Sequence, residues 1–246
     1  MIPLKTKNDI ETMREGGVIA STALKKVLEN IKPGIKLSEL DRIADQYIID
    51  SGGEASFKTV DGYSYATCIN VNEGIVHGIP TDYELTTGDV VSIDLGVLYK
   101  GFHTDLSHTV EVGTDKEKVF LDTGKQALSN AISKLLVGNR IGDISQAIQS
   151  TVESVGYSVS RDLVGHGVGA ELHEDPLVPG YGRKGEGPLI QEGLVLAIEV
   201  IYQRGSPRIE VDDDDWTIKT SDGSLSGLFE QTVAATKDGP VIITSF

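Results

Sequence analysis

The stretch VGHGVGAELHEDP, residues 164–176, places His166 and His173 seven positions apart among three glycines, Gly165, Gly167 and Gly169. Histidines that bind one metal from a helix stand three or four apart on one face, so this spacing does not describe a helical metal site. The segment is too glycine-rich for a helix and too polar for a core strand. It is expected to be irregular backbone to which something must come close, with two imidazoles carried on it.

Carboxylates in unexpected places supply the other half of the chemistry. In GDVVSIDLGVLYKGFHTDLSHTVEV, residues 88–112, β-branched and apolar residues flank Tyr99-Lys100-Gly101, the pattern of a hairpin. A turn centred near residues 99 and 100 sets Asp94 opposite Asp105 on one face, where like charges repel. Such a pair either shares a proton or holds cations, and a different register would leave one of the two at the surface. Glu199 interrupts the apolar run LVLAIEVI (194–201), and Glu230 lies in LFEQTV (228–233). Each alone has an ordinary reading as a strand-edge side chain in water, whereas burial without a partner would cost several kcal/mol or force protonation. Together the four carboxylates balance two divalent cations. With one imidazole added, the donor set suits a dinuclear centre of Mn, Fe, Co or Zn. Two such metals, about 3.5–4 Å apart, share a bridging water or hydroxide and polarise a carbonyl for its attack, which is hydrolysis without a protein nucleophile.

These residues must be positioned by elements that the sequence marks out. Apolar side chains at Ile10, Met13, Leu24, Val27 and Leu28 predict a helix over residues 8–31, stopped by Lys32-Pro33-Gly34. A second helix is predicted from Ser38, with Asp41 completing a capping box, to Gly52-Gly53. A strand-rich stretch follows over residues 67–112, then helices over about 115–136 and 142–155. A shift of 104 positions aligns Leu24 with Leu128, Gly34 with Gly138, Leu40 with Ile144 and Ile48 with Val152. This repeat predicts two halves, about 1–112 and 113–246, within one catalytic domain, each a pair of helices followed by strands, with a site between them.

Composition narrows the partners. A chain of 246 residues with 39% hydrophobic and 24% charged residues buries a sizeable core. The net charge of -15 argues against nucleic acid or an anionic membrane as partner, because both are bound by neutralising them with Lys and Arg. The amino terminus lacks an apolar leader pattern and no run of about 18 apolar residues occurs, so a cytoplasmic chain is expected. The single cysteine, Cys68, can form no internal disulfide.

The ordered segments NVNEGIVHGIP (70–80), SIDLG (92–96), GFHTDLSHT (101–109), GHGVGAELHEDP (165–176), LAIEV (196–200) and WTIKTSDGSLSGLFEQTV (216–233) resemble the type I methionine aminopeptidases of the bacterial kind, over nearly the whole chain. The resemblance implies an α+β fold of the duplicated pita-bread type, a curved antiparallel sheet covered by helices. It implies that Asp94, Asp105, His166, Glu199 and Glu230 bind two divalent metal ions, Co, Mn, Fe or Zn, with Asp105 and Glu230 bridging them. It implies that His77 and His173 hydrogen-bond the scissile amide and the tetrahedral intermediate, and that Glu199 also shuttles a proton to the leaving amine. Phe57, Tyr63, Cys68, Leu172 and Trp216 would line an apolar pocket for the methionine side chain. The substrate implied is a peptide or nascent-chain N-terminus, with transient ribosome association and a monomeric enzyme. The sequence departs from the family where Phe57 replaces a frequent Cys, Val60 an aromatic, Leu172 a Phe, and Val200-Ile201 a Pro-Met pair.

Three rival readings have their own signatures. His103-x-Asp105 followed by His166 fits the facial triad of a mononuclear Fe(II) oxygenase, but leaves Glu199 and Glu230 unexplained. An Xaa-Pro aminopeptidase or other hydrolase on the same fold is disfavoured by the compact length and the Trp216 segment. A binding module that has lost its metals is disfavoured because all five ligands are present. His103 and His108 are expected to be structural or exposed, and Asp212 to Asp215 a solvated hairpin tip.

Overall fold

The computed structural model describes residues 2–245. Its elements in chain order are α1 (Lys7–Asn30), α2 (Leu37–Asp50), β1 (Glu54–Ala55), a 3-10 turn (Ser56–Thr59), β2 (Thr67–Val71), β3 (Gly74–Val76), β4 (Val90–Tyr99) and β5 (Phe102–Glu111). They continue with α3 (Lys118–Ile132), α4 (Ile141–Glu153), β6 (Ser158–Val159), β7 (Val164–Gly167), β8 (Glu174–Pro179), β9 (Val195–Gln203), β10 (Ile209–Val211), β11 (Ile218–Thr220), β12 (Ser226–Thr236) and β13 (Gly239–Ile242). The helices fall where the 3.6-residue periodicity puts them, and α1 is started by a capping box: Thr6 Oγ1 accepts from Asp9 N–H at 3.2 Å while the Asp9 carboxylate accepts from Thr6 N–H at 2.8 Å.

The predicted capping box of α2 is not formed. The helix begins at Leu37, so Ser38 lies inside the first turn, and its hydroxyl donates to Asp82 at 2.7 Å. Asp41 is used elsewhere: it accepts from the N–H groups of Ala66 and Thr67, both at 2.9 Å, and pins the start of β2 to the helix.

The main sheet runs β1-β4-β5-β12-β9-β7-β8, with β2 also paired to β4, β6 to β9 and β13 to β12; β10, β11 and β3 form a smaller sheet. Two apolar cores glue helices to one face of it. Leu24, Val27, Leu40 and Ile48 of α1 and α2 pack with Ile93, Leu95 and Leu106 of β4 and β5. Leu128, Ile144 and Ile148 of α3 and α4 pack with Ile198, Val200 and Phe229 of β9 and β12. Each such side chain contributes about 1.5–3 kcal/mol on burial, so the pairs of helices hold their strands firmly. The order of elements recurs: α1, α2 and β1 precede β4 as α3, α4 and β6 precede β9, and β1 pairs with β4 (Glu54 opposite Leu98) as β6 pairs with β9 (Ser158 opposite Gln203). The fold is thus the duplicated α+β plan expected from the sequence repeat.

The β4–β5 hairpin differs from the sequence expectation in register. Its turn is Lys100-Gly101, with φ of 49° and 83°, so Gly96 lies opposite Asp105 and Asp94 opposite Ser107. Both turn residues occupy the left-handed region that a two-residue hairpin turn demands, and Gly101 makes this turn the cheaper one. The register is displaced by two residues. A displacement of two keeps every side chain on its original face, so the two aspartates still share one side as diagonal neighbours.

The halves meet at β5 and β12. Direct ladder pairing there is limited to Ser107 with Glu230 and Leu106 with Gln231. On either side a threonine hydroxyl replaces the ladder. Thr109 Oγ1 donates to Leu228 C=O at 2.7 Å and accepts from Leu228 N–H at 2.9 Å, and Thr232 Oγ1 donates to Asp105 C=O and accepts from Asp105 N–H, both at 2.8 Å. Thr109→Val keeps the shape and leaves two buried backbone groups unpaired, so a loss of about 1–3 kcal/mol for each is expected in chemical denaturation, and an unchanged midpoint would show that the seam does not rely on these hydroxyls.

Candidate active site

Five adjacent strands each deliver one of the five candidate ligands. Across the sheet the order is Asp94 on β4, Asp105 on β5, Glu230 on β12, Glu199 on β9 and His166 on β7. Asp94 is opposite Ser107, Ser107 opposite Glu230, and Glu230 opposite Glu199, a single cross-strand row. Asp105 lies two residues from Ser107 along β5, and His166 pairs with Ala197, two residues from Glu199 along β9. Strand side chains alternate in face, so all five point away from the helices into one cavity. Each glutamate interrupts an apolar run because Ile198, Val200 and Phe229 beside them face the helical core while Glu199 and Glu230 face the cavity.

β7 corrects one expectation. Residues 164–167 form a buried strand between β9 and β8 rather than irregular backbone. The close approach that its glycines permit is by neighbouring chain: a Cβ on Gly165 would meet Ala197 C=O at 2.6 Å, and one on Gly169 would meet the side chains of Lys5 and Glu174, which form a buried ion pair. His166 Nδ1 donates to Gly167 C=O at 2.9 Å, which directs Nε2 to the carboxylates, 3.5 Å from Glu199 Oε1. Ligand atoms of Asp105, His166 and Glu230 all lie within 4.8 Å of one another.

His103 and His108 are buried rather than exposed, and neither joins that cluster. His103 Nδ1 shares a hydrogen bond of 2.9 Å with Ser56, and His108 meets the Phe229 ring edge-on on the helical face. The facial-triad reading therefore loses its His103.

The donor set fits divalent cations. Asp94 Oδ1, Asp105 Oδ1 and Glu230 Oε1 are buried and find no hydrogen-bond partner among the described residues. Burial pushes Asp105 up to about 7. Burial, and then the charges of its neighbours, pushes Asp94, Glu199 and Glu230 well above the usual carboxylate range. Burial lowers His166 to about 4, so its imidazole is neutral and free to ligate near neutral pH. Oxygen ligands with one imidazole are the set that Mn, Fe, Co and Zn accept.

The remaining predicted residues stand around the same cavity, about 170 Å³ in volume. Phe57, Tyr63, Cys68 and Leu172 form a buried apolar cluster, with Val60 and Trp216 packed against it. Tyr63 OH donates to Thr67 C=O at 2.8 Å, and its ring lies 5.1 Å from that of Trp216. The Trp216 backbone is fixed from the hairpin tip, where the Asp214 carboxylate accepts from its main-chain N–H at 2.9 Å. A second, outer cavity of about 610 Å³ shares Val76, His77, His166, His173 and Glu199 with the first, so His77 and His173 stand where the two spaces join. The His166 and His173 rings are 4.4 Å apart, and His77 has a left-handed φ of 59°. Val76 also lines the inner cavity and escaped the sequence reading, since nothing separates it from an ordinary strand valine.

A carboxylate-rich centre on a duplicated antiparallel sheet, facing an apolar pocket, defines a metallohydrolase. Comparison with known proteins narrows the class. The family model of Metallopeptidase family M24 matches residues 11–236. The chain is 46% identical over 99% of both chains to a methionine aminopeptidase of Clostridium perfringens, and 41% identical over 99% of both to methionine aminopeptidase 1 of Bacillus subtilis. The crystal structure of methionine aminopeptidase from Thermotoga maritima superposes with a TM-score of 0.97 at 41% identity over all of both chains. Prolidase from Pyrococcus furiosus superposes at 0.80 and 25% identity, over 99% of this chain and 65% of that one. The chain belongs to the M24 metallopeptidases and, within them, to the methionine aminopeptidases. No helix among the described residues is long and apolar enough to cross a membrane.

Without cations the four carboxylates retain protons that the unfolded chain releases from about pH 4 upward, so stability falls as pH rises towards their native values. Burial lowers all five histidines, and their contribution runs the other way, being lost as pH falls below about 6.5. The two sets offset each other below about pH 6.5, and the carboxylates act alone above it. The denaturation midpoint of the metal-stripped chain is therefore expected to fall as pH rises from about 6.5 through about 7, the value to which burial pushes Asp105, and to fall less once metal is restored; a midpoint that rises in the stripped chain over that interval would contradict the buried cluster.

Proposed function

We propose that this chain hydrolyses the peptide bond after the N-terminal methionine of peptides and nascent proteins, with Asp94, Asp105, His166, Glu199 and Glu230 holding two divalent cations. The observation that carries this reading is the pairing of a five-ligand face, built from five adjacent strands, with an apolar cavity that opens past two histidines. When bound, the cations supply Lewis acidity, which polarises the scissile carbonyl and makes hydroxide available near neutral pH.

The chain's own residues do the rest. Asp105 and Glu230, on the two strands of the seam, would hold the cations from the middle of the row, with Asp94, Glu199 and His166 holding them from its flanks. The inner cavity has roughly the volume of an engineered cavity of about 150 Å³ that accepts benzene, room for one side chain of moderate size. Its walls suit an unbranched, polarizable thioether. His77 and His173, at the junction of the two cavities, are placed to donate hydrogen bonds to the carbonyl oxygen as it gains charge. Of the four carboxylates Glu199 alone also lines the outer cavity, which suits it to take a proton from water and hand it to the leaving amine. The outer cavity receives the rest of the peptide. This substrate implies a cytoplasmic place in protein maturation, with transient contact to the ribosome and a monomer acting alone.

The test is release of free methionine from Met-Ala-Ser by metal-stripped protein supplied in turn with Mn, Co, Fe and Zn. Activity is expected with at least one metal, and a fall in turnover of about 10²–10³-fold in His173→Ala with metal binding retained. Cleavage of Xaa-Pro peptides with no methionine release under any metal would reassign the chain to a different M24 activity.

A further inference from the structure

The cross-strand row holds one residue that no step above uses. Ser107 on β5 lies directly opposite Asp94 on one side and Glu230 on the other, on the face that also carries Asp105. It is 0% exposed. Its Oγ has no hydrogen-bond partner among the described residues, and neither has Asp94 Oδ1 or Glu230 Oε1 beside it. Directly opposed residues on one face have Cβ atoms about 4.5–5.5 Å apart, so a turn of the Ser107 side chain about its Cα–Cβ bond carries Oγ towards one carboxylate or the other. The neighbouring hydroxyl on the same strand face is occupied: Thr109 bonds Leu228 and shares a 2.8 Å hydrogen bond with Ser92. Ionised carboxylates only accept, and Ser107 is the hydroxyl donor set between two of them. A buried hydroxyl without a partner costs stability, and an alanine at this position would avoid that cost.

We propose that Ser107 is a positioning residue of the metal centre, donating to a carboxylate oxygen of Asp94 or Glu230 and so fixing the orientation of a carboxylate that would ligate the cations. The inference rests on the metal reading of the site. Partners of this kind, one shell beyond the ligands, set ligand orientation and change metal affinity by about 10–100-fold when removed. A purely structural serine would behave differently. It would contribute to folding and leave the metal affinity and spectrum unmoved, whereas a positioning donor is read in both.

The experiment titrates metal-stripped wild type, Ser107→Ala and Ser107→Thr with Co(II), following stoichiometry and affinity by calorimetry and coordination by visible absorption, with melting of each metal-free protein measured alongside. Ser107→Ala is expected to lose about 10–100-fold in Co(II) affinity and to alter the absorption bands, with a metal-free melting temperature equal to wild type or higher. Ser107→Thr keeps the hydroxyl and is expected to hold wild-type affinity, even where its extra methyl lowers melting. Wild-type affinity and spectrum in Ser107→Ala, a loss in Ser107→Thr equal to that in Ser107→Ala, or a Ser107→Ala protein that melts lower or fails to fold without metal would each overturn the proposal. A wild type that binds no Co(II) would instead overturn the metal reading itself.

Discussion

Four carboxylates confined to one face of a sheet, shielded from water, repel one another, and this repulsion is the constraint that the rest of the structure answers. Asp94, Glu230 and Glu199 share a single cross-strand row, with Asp105 one pleat away. Such a cluster can take up protons or take up cations. The imidazole of His166, held neutral by burial and tethered through Nδ1, adds a ligand that favours the second outcome. Divalent cations held there would turn that repulsion into binding energy.

A frame able to hold that arrangement has to be stiff on both sides of it. Each half packs its own pair of helices against its own strands, so the two apolar cores clamp β4 and β5 on one flank and β9 and β12 on the other. Asp105 and Glu230 sit on the strands where the halves join. Only two residue pairs link these strands by regular ladder, and threonine hydroxyls take over beyond them. The apolar pocket is built from the segment before β2, from Cys68 on β2 itself, opposite Asp94, from the β10–β11 hairpin and from the chain between β7 and β8.

Much of this was legible in the residues, for identifiable reasons. Glu199 and Glu230 betrayed themselves by interrupting apolar runs, because a strand with one face on a helical core leaves nowhere else for a charge to be noticed. The helix pairs announced the duplication through their shared spacing. Other features were hidden by physics that a single strand does not display. The β4–β5 register depended on Lys100 accepting a left-handed φ beside Gly101, which displaced the pairing by two and preserved its face. β7 resembled a loop because its glycines answer to neighbouring backbone, Gly165 to Ala197 of β9 and Gly167 to Asp175 of β8. Asp41 imitated a capping residue while serving β2, and the serine and threonine hydroxyls at the seam look like any strand residues until their neighbours are known.

The central claim is that these five side chains gather two cations rather than share protons. Crystals of the chain grown with Mn and measured at the metal's absorption edge test it most directly. Two anomalous peaks about 3.5–4 Å apart, bounded by Asp94, Asp105, His166, Glu199 and Glu230, are predicted. Manganese absent from this cavity at saturating concentration, with the carboxylates left hydrogen-bonded to one another, would contradict it.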